Sequence, residues 1–204
     1  MQLCRICFGG LWGAVLLAGC SGRLGPPEKP SLDADAAGQA AVETYDEDGN
    51  GKLDVQELGH CPSLLLTLPR ADTDGDKALT ADEISARITK WFADTIMMDA
   101  SPLIMLDGKP LAGAEVVFEP EAFLGEGFKT CRGTTDESGR AAMFGPEEDH
   151  SGAYVGIYTV RVSKMEGGEE TLPARYNSDS ELGLEVAADI DDLYLLLQFE
   201  LRSR

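Results

Sequence analysis

The sequence predicts an α+β protein of two domains, a small all-α module followed by a Greek-key β-sandwich of about seven strands. Two observations predict this division. Between residues 32 and 94, apolar residues recur at helical spacing around two acidic loops. From residue 100 to residue 204, short β-rich runs alternate with turn signals. A chain of 204 residues is long enough for one or two domains, and the change of pattern near Asp94 favours two.

The strongly acidic composition disfavours nucleic acid as a partner. The chain has 17 basic and 36 acidic residues, which gives a formal net charge of −19. Phosphate binding requires a clustered basic surface, and the sequence has no such cluster. We therefore expect no nucleic-acid partner.

Residues 1–19 have the composition of an export signal. Arg5 precedes an apolar run that ends in Leu17-Ala18-Gly19-Cys20, and the run is shorter than the ~20 residues of a membrane-spanning helix. The tetrapeptide resembles a bacterial lipobox, which implies cleavage before Cys20 and acylation of its thiol and amino group. Because several acyl chains give stable anchoring, we expect a lipid anchor on the periplasmic face or the cell surface. An ordinary cleaved signal peptide is the alternative.

A tether and a helix are predicted between the signal and the first loop. Residues 20–31 contain enough proline and glycine to prevent a helix, so they form a short tether. From about Leu32, the residues Ala37, Ala41 and Tyr45 follow one another at intervals of four. This spacing predicts a helix that runs into the first acidic loop.

The first acidic loop, 46–57, places oxygen-bearing residues at alternating positions and closes with a glutamate. Ca²⁺ takes six to eight oxygen ligands at roughly 2.3–2.6 Å, and a twelve-residue loop with a glycine at its sharp turn can supply them. Gly51 is placed for that turn. The predicted ligands are the side chains of Asp46, Asp48 and Asn50, the carbonyl of Lys52, Asp54 directly or through water, and Glu57.

The second loop, 72–83, repeats the pattern with one departure. Lys77 stands where the first loop has Gly51, and a side chain held at positive φ costs on the order of 1 kcal/mol. We therefore expect a second site that is weaker or slower than the first. The predicted ligands are Asp72, Asp74, Asp76, the carbonyl of Ala78, Thr80 and Glu83.

Both loops resemble the EF-hand family at every ligand position. Leu53 and Leu79 fall where that family has an apolar residue that pairs its two loops through a short β-bridge. The resemblance covers residues 32–94 and implies two Ca²⁺ sites between paired helices.

The helices that follow the loops have their own start signals. Asp54 with Glu57, and Thr80 with Glu83, have the spacing of an N-cap and a capping-box glutamate. Metal binding and helix initiation are therefore predicted to be coupled. Between the loops, Pro62 is placed to start a short helix whose buried face is predicted to be Leu64, Leu65 and Leu68.

An apolar stripe follows the second loop at helical spacing, in Ile84, Ile88, Trp91 and Phe92. We interpret this stripe as core packing. An exposed surface that binds a target is the alternative.

Two cysteines, Cys61 and Cys131, remain in the mature chain besides Cys20. In an oxidising compartment they can pair, although the sequence does not show the pairing. We favour two separate buried thiols, with a disulfide as the alternative.

Residues 100–204 are predicted to form a sandwich because alternating apolar and polar residues are separated by turn signals. Asp107-Gly108 and the segment 136–139 are such turns. The predicted strands are 103–106, 114–119, 129–134, 140–144, 156–163, 182–186 and 195–201.

Four segments of this half, 107–114, 133–140, 156–160 and 172–177, resemble the carboxypeptidase regulatory-like, transthyretin-like β-sandwich. The last of them, with the strand at 182–186, is similar to versions of this domain in exported planctomycete lipoproteins. The resemblance implies a non-enzymatic accessory or adhesion module, and its motifs carry no catalytic group.

The sequence predicts no catalytic residue. His60 and His150 lie outside any nucleophile or zinc motif. We expect a non-enzymatic, calcium-binding lipoprotein whose partners are the membrane, through Cys20, and an envelope protein or glycan. One alternative is a calcium sensor that exposes Leu65, Leu68, Trp91 or Phe92, and another is an accessory subunit of an envelope hydrolase.

Overall fold

The computed structural model describes residues 28–93, 95–146 and 150–204. Within this part the protein is a mixed α+β structure with five α-helices and several mainly antiparallel sheets, none of which closes into a barrel. The predicted signal at 1–19, the anchor Cys20 and most of the tether lie outside the described residues. No helix among the described residues is both long enough and apolar enough to cross a membrane.

The elements follow one another from a helical half to a β-rich half. The helices are α1 (Ala34–Tyr45), α2 (Val55–Leu58), α3 (Pro62–Ala71), α4 (Ala81–Trp91) and α5 (Leu193–Leu196). The strands are β1 (Lys52–Leu53), β2 (Leu79–Thr80), β3 (Met97–Met98), β4 (Leu103–Leu106), β5 (Lys109–Pro110), β6 (Glu115–Pro120), β7 (Cys131–Thr134), β8 (Ala153–Tyr154), β9 (Gly156–Ser163), β10 (Met165–Glu166), β11 (Glu169–Glu170), β12 (Leu182–Val186) and β13 (Gln198–Leu201).

The predicted helix starts are confirmed by their hydrogen bonds. Asp54 and Glu57 form a complete capping box at α2, and Thr80 and Glu83 form another at α4. Each box satisfies backbone N–H groups that have no partner within the helix. Pro62 is the first residue of α3, where a missing N–H costs nothing.

A four-stranded antiparallel sheet, in the order β12-β9-β6-β7, lies between the helices and a second sheet. Its residues alternate between two faces. Phe118 pairs with Val160 and is fully buried in the core that also contains Ile104 and Phe199. These last two residues are partners in the parallel pair β4 and β13 of the three-stranded sheet β13-β4-β5.

The opposite face of the four-stranded sheet carries the helices. Gly183 of β12 lies so close to the start of α3 that an added Cβ would overlap the backbone of Pro62 and Ser63. The Ser63 hydroxyl donates to Glu121 Oε1 at 2.6 Å, and Thr159 of β9 donates to the same oxygen at 2.9 Å. Helix α3 is therefore fixed to the sheet by backbone contact and by a buried carboxylate.

The apolar stripe of α4 is packed in the core, as predicted, but it contacts the sheet as well as the helical pair inside which it was expected to pack. Ile84, Ile88 and Trp91 are all nearly inaccessible, and Ile157 of β9 lines the same interior space. Burial of such side chains is the main favourable term in folding. The two halves of the chain thus share one continuous hydrophobic core.

Two predicted strands are wrong. Residues 140–144 form only isolated bridges at Arg140 and Phe144, because their backbone hydrogen bonds go to separate segments, among them those of Pro102, Arg132 and Gly152, and no continuous ladder forms. Residues 195–197 belong to α5 and its end, and only β13 is extended. The adjacent leucines there do not alternate in polarity, so the period-2 pattern begins only at Gln198.

Cys61 and Cys131 are separate, buried thiols, which confirms the favoured interpretation. The Cys61 sulfur lies 3.4 Å from the Ser63 hydroxyl, and the Cys131 sulfur lies 3.8 Å from the Lys129 carbonyl oxygen. Burial raises the pKa of each thiol to about 11. Both therefore remain in the unreactive thiol form at neutral pH.

Gly38→Ala is predicted to destabilise the protein. A Cβ at Gly38 would overlap the Ala81 carbonyl oxygen where α1 crosses the start of α4. Overpacking costs about 1–3 kcal/mol, which exceeds the gain of up to ~1 kcal/mol in helix propensity. Urea unfolding should show a lower free energy of unfolding for this variant. Gln39→Ala, at the next and exposed position, is the control. An increase in stability for Gly38→Ala would contradict the close α1–α4 contact.

Candidate metal centre

Two groups of carboxylates lie in the loops between the helices. The first contains Asp46, Asp48 and Glu57, and the second contains Asp72, Asp74 and Asp76. In each group, one ligand oxygen from every residue lies within 4.8 Å of the others, so each group can hold a metal ion. The first loop joins α1 to α2, and the second joins α3 to α4.

The carboxylates of the first loop are oriented by the loop's own backbone. Asp46 Oδ1 accepts hydrogen bonds from the N–H groups of Gly49 and Asn50, at 2.8 and 3.2 Å, and Oδ2 accepts from Gly51 at 2.8 Å. These bonds, that of Gly51 foremost, lower the pKa of Asp46. Asp48 Oδ1 accepts from Asn50 at 2.9 Å, and the Asn50 amide oxygen accepts from Lys52 at 2.8 Å.

The second loop repeats this arrangement at corresponding positions. Asp72 accepts from the N–H groups of Gly75 at 2.7 Å and Lys77 at 3.0 Å. Asp74 accepts from the Asp76 N–H at 3.0 Å, and Asp76 accepts from the Ala78 N–H at 2.9 Å. The first, third and fifth residues of both loops therefore use the same short-range bonds to hold their side chains.

Glu57 and Glu83, which close the two loops, are both buried, but only Glu57 belongs to one of the two carboxylate groups. Glu57 Oε1 accepts from the Glu47 N–H at 2.8 Å, and Oε2 accepts from the Asp54 N–H at 2.9 Å, while the residue remains in the first group. Glu83 is not part of the second group. Its two oxygens accept from Thr73 and Thr80, each through both N–H and hydroxyl.

Glu83 is nevertheless ionised at neutral pH. Burial alone would raise its pKa, but the hydrogen bonds from Thr80 and Thr73 outweigh burial and lower the pKa to about 2. The Glu83 side chain is therefore a carboxylate at the end of the loop that carries the second group.

Asp54 and Thr80 lie at the helix starts and outside both groups. Asp54 Oδ1 accepts from the Gln56 N–H at 2.7 Å and the Glu57 N–H at 3.0 Å. Their predicted role as metal ligands stays a prediction, as does that of the carbonyls of Lys52 and Ala78.

The two loops are joined by the expected β-bridge. Strands β1 and β2 pair antiparallel, with Leu53 opposite Leu79 and Lys52 opposite Thr80. Both leucines are fully buried. The bridge places the two carboxylate groups side by side, so a change of charge in one loop is felt in the other.

Lys77 adopts the predicted left-handed conformation. Its φ is +65°, close to the +83° of Gly51 at the same place in the first loop. The Cβ of Lys77 therefore adds a steric cost to a turn that Gly51, which has no Cβ, makes without one.

An ion pair that the sequence pattern did not predict joins the two loops. The Lys52 ammonium group contacts Asp76 Oδ2, so a cation of the first loop lies beside a carboxylate of the second. This pair raises the pKa of Lys52 and lowers that of Asp76. The signal that could have found it is the predicted β-bridge, which sets Lys52 next to the second loop. A metal ion there competes with the ammonium group for Asp76.

Comparison of the chain with protein-family models, with curated proteins and with solved structures gives no match. The interpretation of the site therefore depends on the residues themselves.

Lys77→Gly is predicted to stabilise the protein by roughly 1 kcal/mol, because glycine adopts positive φ without the Cβ clash. The free energy of unfolding, measured in the presence of chelator, should increase. Lys77→Ala keeps the Cβ and is the matched control, so it should leave stability within about 0.5 kcal/mol. Equal gains from both variants would assign the effect to the lysine charge instead of the backbone.

Proposed function

We propose that the protein is a calcium-binding, non-enzymatic lipoprotein of the cell envelope. In this proposal the helical half is a pair of EF-hand-like loops, and the β-rich half is a transthyretin-like sandwich that serves as a binding or adhesion module. Calcium orders the helical half, and the acylated Cys20 holds the protein at the membrane.

The observation that carries the calcium assignment is the repeated orientation of oxygen ligands in two linked loops. Asp46, Asp48 and Asn50 in one loop, and their counterparts in the other, accept backbone hydrogen bonds at matching positions. All these side chains offer oxygen, which hard cations prefer, and none offers the sulfur or imidazole typical of zinc sites. Flexible loops with several carboxylates suit Ca²⁺ better than the smaller Mg²⁺, which keeps much of its water.

Bound calcium would supply positive charge where the carboxylates are crowded. Glu57 and Glu83 close the loops and also belong to the capping boxes of α2 and α4. Ligation by these glutamates therefore bears directly on the first turn of each helix. Extracellular modules of this kind bind at ~10⁻⁴–10⁻³ M, so the ion acts as a structural component wherever external calcium is plentiful.

The packing of the helices favours a stabilising role over a sensor. A sensor exposes an apolar groove when it binds calcium. Trp91 and Ile88 are 2% and 1% exposed, and they face β9 and β12 of the sheet instead of an empty groove. Leu65, at 36%, is the one large apolar side chain of the predicted sensor surface that is classed as exposed in the described chain. A sensor-like opening of the two helix–loop units would have to remove Trp91 and Ile88 from the core that they share with the sheet.

Chelation is predicted to lower the melting temperature and the helical circular dichroism of the full chain. At a tenfold excess of calcium over Kd, each site contributes about 1.4 kcal/mol of stability. Glu57→Gln should remove the calcium dependence of one site in a calorimetric titration. Glu43→Gln, an exposed acid of α1 outside the loops, is the control and should bind as the parent does. A melting temperature that does not respond to chelator would contradict the proposal.

Cys20→Ser is predicted to move the protein from the membrane fraction to the soluble fraction of expressing cells, since acyl chains can no longer be attached. Cys61→Ser, which changes a buried thiol, should leave the distribution unchanged. Membrane retention of the Cys20 variant after removal of residues 1–19 would contradict attachment through Cys20, and a parent protein that is already in the soluble fraction would support an ordinary cleaved signal.

A further inference from the structure

One buried carboxylate of the sheet holds both helices that flank the second loop. Glu185 of β12 accepts a hydrogen bond from Arg87 Nε at 2.6 Å through Oε1, and from Arg70 Nη1 at 3.1 Å through Oε2. Arg70 lies in the last turn of α3, two residues before the loop begins at Asp72. Arg87 lies in α4, one helical turn after the closing Glu83.

The surroundings of Glu185 make this contact rigid. Its side chain is 0% exposed, and that of Arg87 is 2% exposed. The Trp91 indole N–H also donates to Glu185 Oε1, at 2.9 Å. The remaining guanidinium nitrogens of Arg87 bind Asp189 with two bonds of 2.6 and 2.9 Å. Displacement of Arg87 would leave the buried carboxylate without its main cationic partner, so this geometry is strongly favoured.

The contacts repeat along one face of α4. Glu83, Arg87 and Trp91 are separated by four residues each, so they lie in a row on the same side of the helix. The first of them closes the second loop, and the other two bind Glu185. The position of the closing glutamate is therefore set, through one rigid helix, by a residue of the sheet.

We infer that Glu185 is a positioning residue for the second metal loop. It fixes the angle between α3 and α4 and so holds the ends of the loop at the separation that suits a bound cation. The second loop then binds without the helix reorientation that sensor loops undergo, which is a change of about 40°.

Among the described residues, neither helix that flanks the first loop binds Glu185, so this loop serves as an internal control. Neither α1 nor α2 contains an arginine, a lysine or a histidine. Its flanking helices therefore cannot be held on a sheet carboxylate in the same way. Loss of the Glu185 contacts should affect the two loops unequally.

This inference rests on the proposed calcium binding, and its test separates the two. The single-site parents are the full chain with Glu57→Gln, which leaves the second loop, and with Glu83→Gln, which leaves the first. Glu185→Gln is introduced into each parent, and calcium dissociation constants are measured by calorimetry. Glu200→Gln, an exposed acid of β13, is the control.

The expected result is a dissociation constant at the second loop that rises about tenfold or more, which is the usual effect of losing a residue that orients metal ligands. At the first loop the constant should rise by a smaller factor, because this loop is connected to Glu185 only through the β1–β2 bridge and the contact of α1 with α4. A merely structural role would lower the melting temperature and leave the ratio of the two constants unchanged. That unchanged ratio would overturn the inference. Absence of calcium binding in both parents would overturn the proposed function as well.

A milder variant covers the case in which Glu185→Gln does not unfold cooperatively. Arg70→Gln removes the ion pair between Glu185 and Arg70, whose side chain is 28% exposed. The bonds from Arg87 and Trp91 to Glu185 remain. This variant should weaken the second loop in the same direction, by a smaller factor, and affect the first loop less. Equal constants for this variant and its parent at the second loop would count against Glu185 as the positioning group.

Discussion

Repulsion between carboxylates is the constraint that shapes the helical half of the protein. Each loop brings one oxygen from each of three acidic side chains within 4.8 Å of the others, so their like charges repel one another. The backbone offsets part of this cost by turning N–H groups of Gly51, Lys77 and their neighbours toward Asp46 and Asp72. The ammonium group of Lys52 reduces the repulsion in the second loop by pairing with Asp76. The proposed cation would compensate the remaining negative charge.

The sheet provides what the helical half cannot provide alone. A module of about 60 residues buries little apolar surface by itself. Here α3 is fixed by the close approach at Gly183, and α4 is fixed by Glu185. The guanidinium of Arg87 and the ammonium of Lys90 also hold the pKa of Asp189 well below its usual range, so this attachment persists under acidic conditions. The sheet therefore holds α3 and α4 in place on either side of the second loop. Fixed helices suit an ion that stabilises the loop better than an ion that switches the helices between two arrangements.

Local patterns in the sequence predicted the parts of the structure that depend on local interactions. The capping boxes and the bounds of β4, β9 and β12 follow from residues close together in the chain. The pairing of Leu53 with Leu79 was instead predicted from the family resemblance of the two loops. The helical residues 193–196 were missed because neighbouring leucines fit a strand as well as a helix. Arg87 and Glu185 are 98 positions apart, and no periodicity connects them. Their contact depends on how α4 meets β12, which only the folded chain shows.

The most direct test of the calcium assignment is a crystal structure of the protein grown with calcium, with ions located by anomalous scattering. We expect one ion in each loop, with oxygens of Asp46 and Asp48, and of Asp72 and Asp74, at roughly 2.3–2.6 Å. We also expect Asp76 to be released from Lys52. Loops without ions, with Lys52 still bound to Asp76 at millimolar calcium, would contradict the calcium assignment.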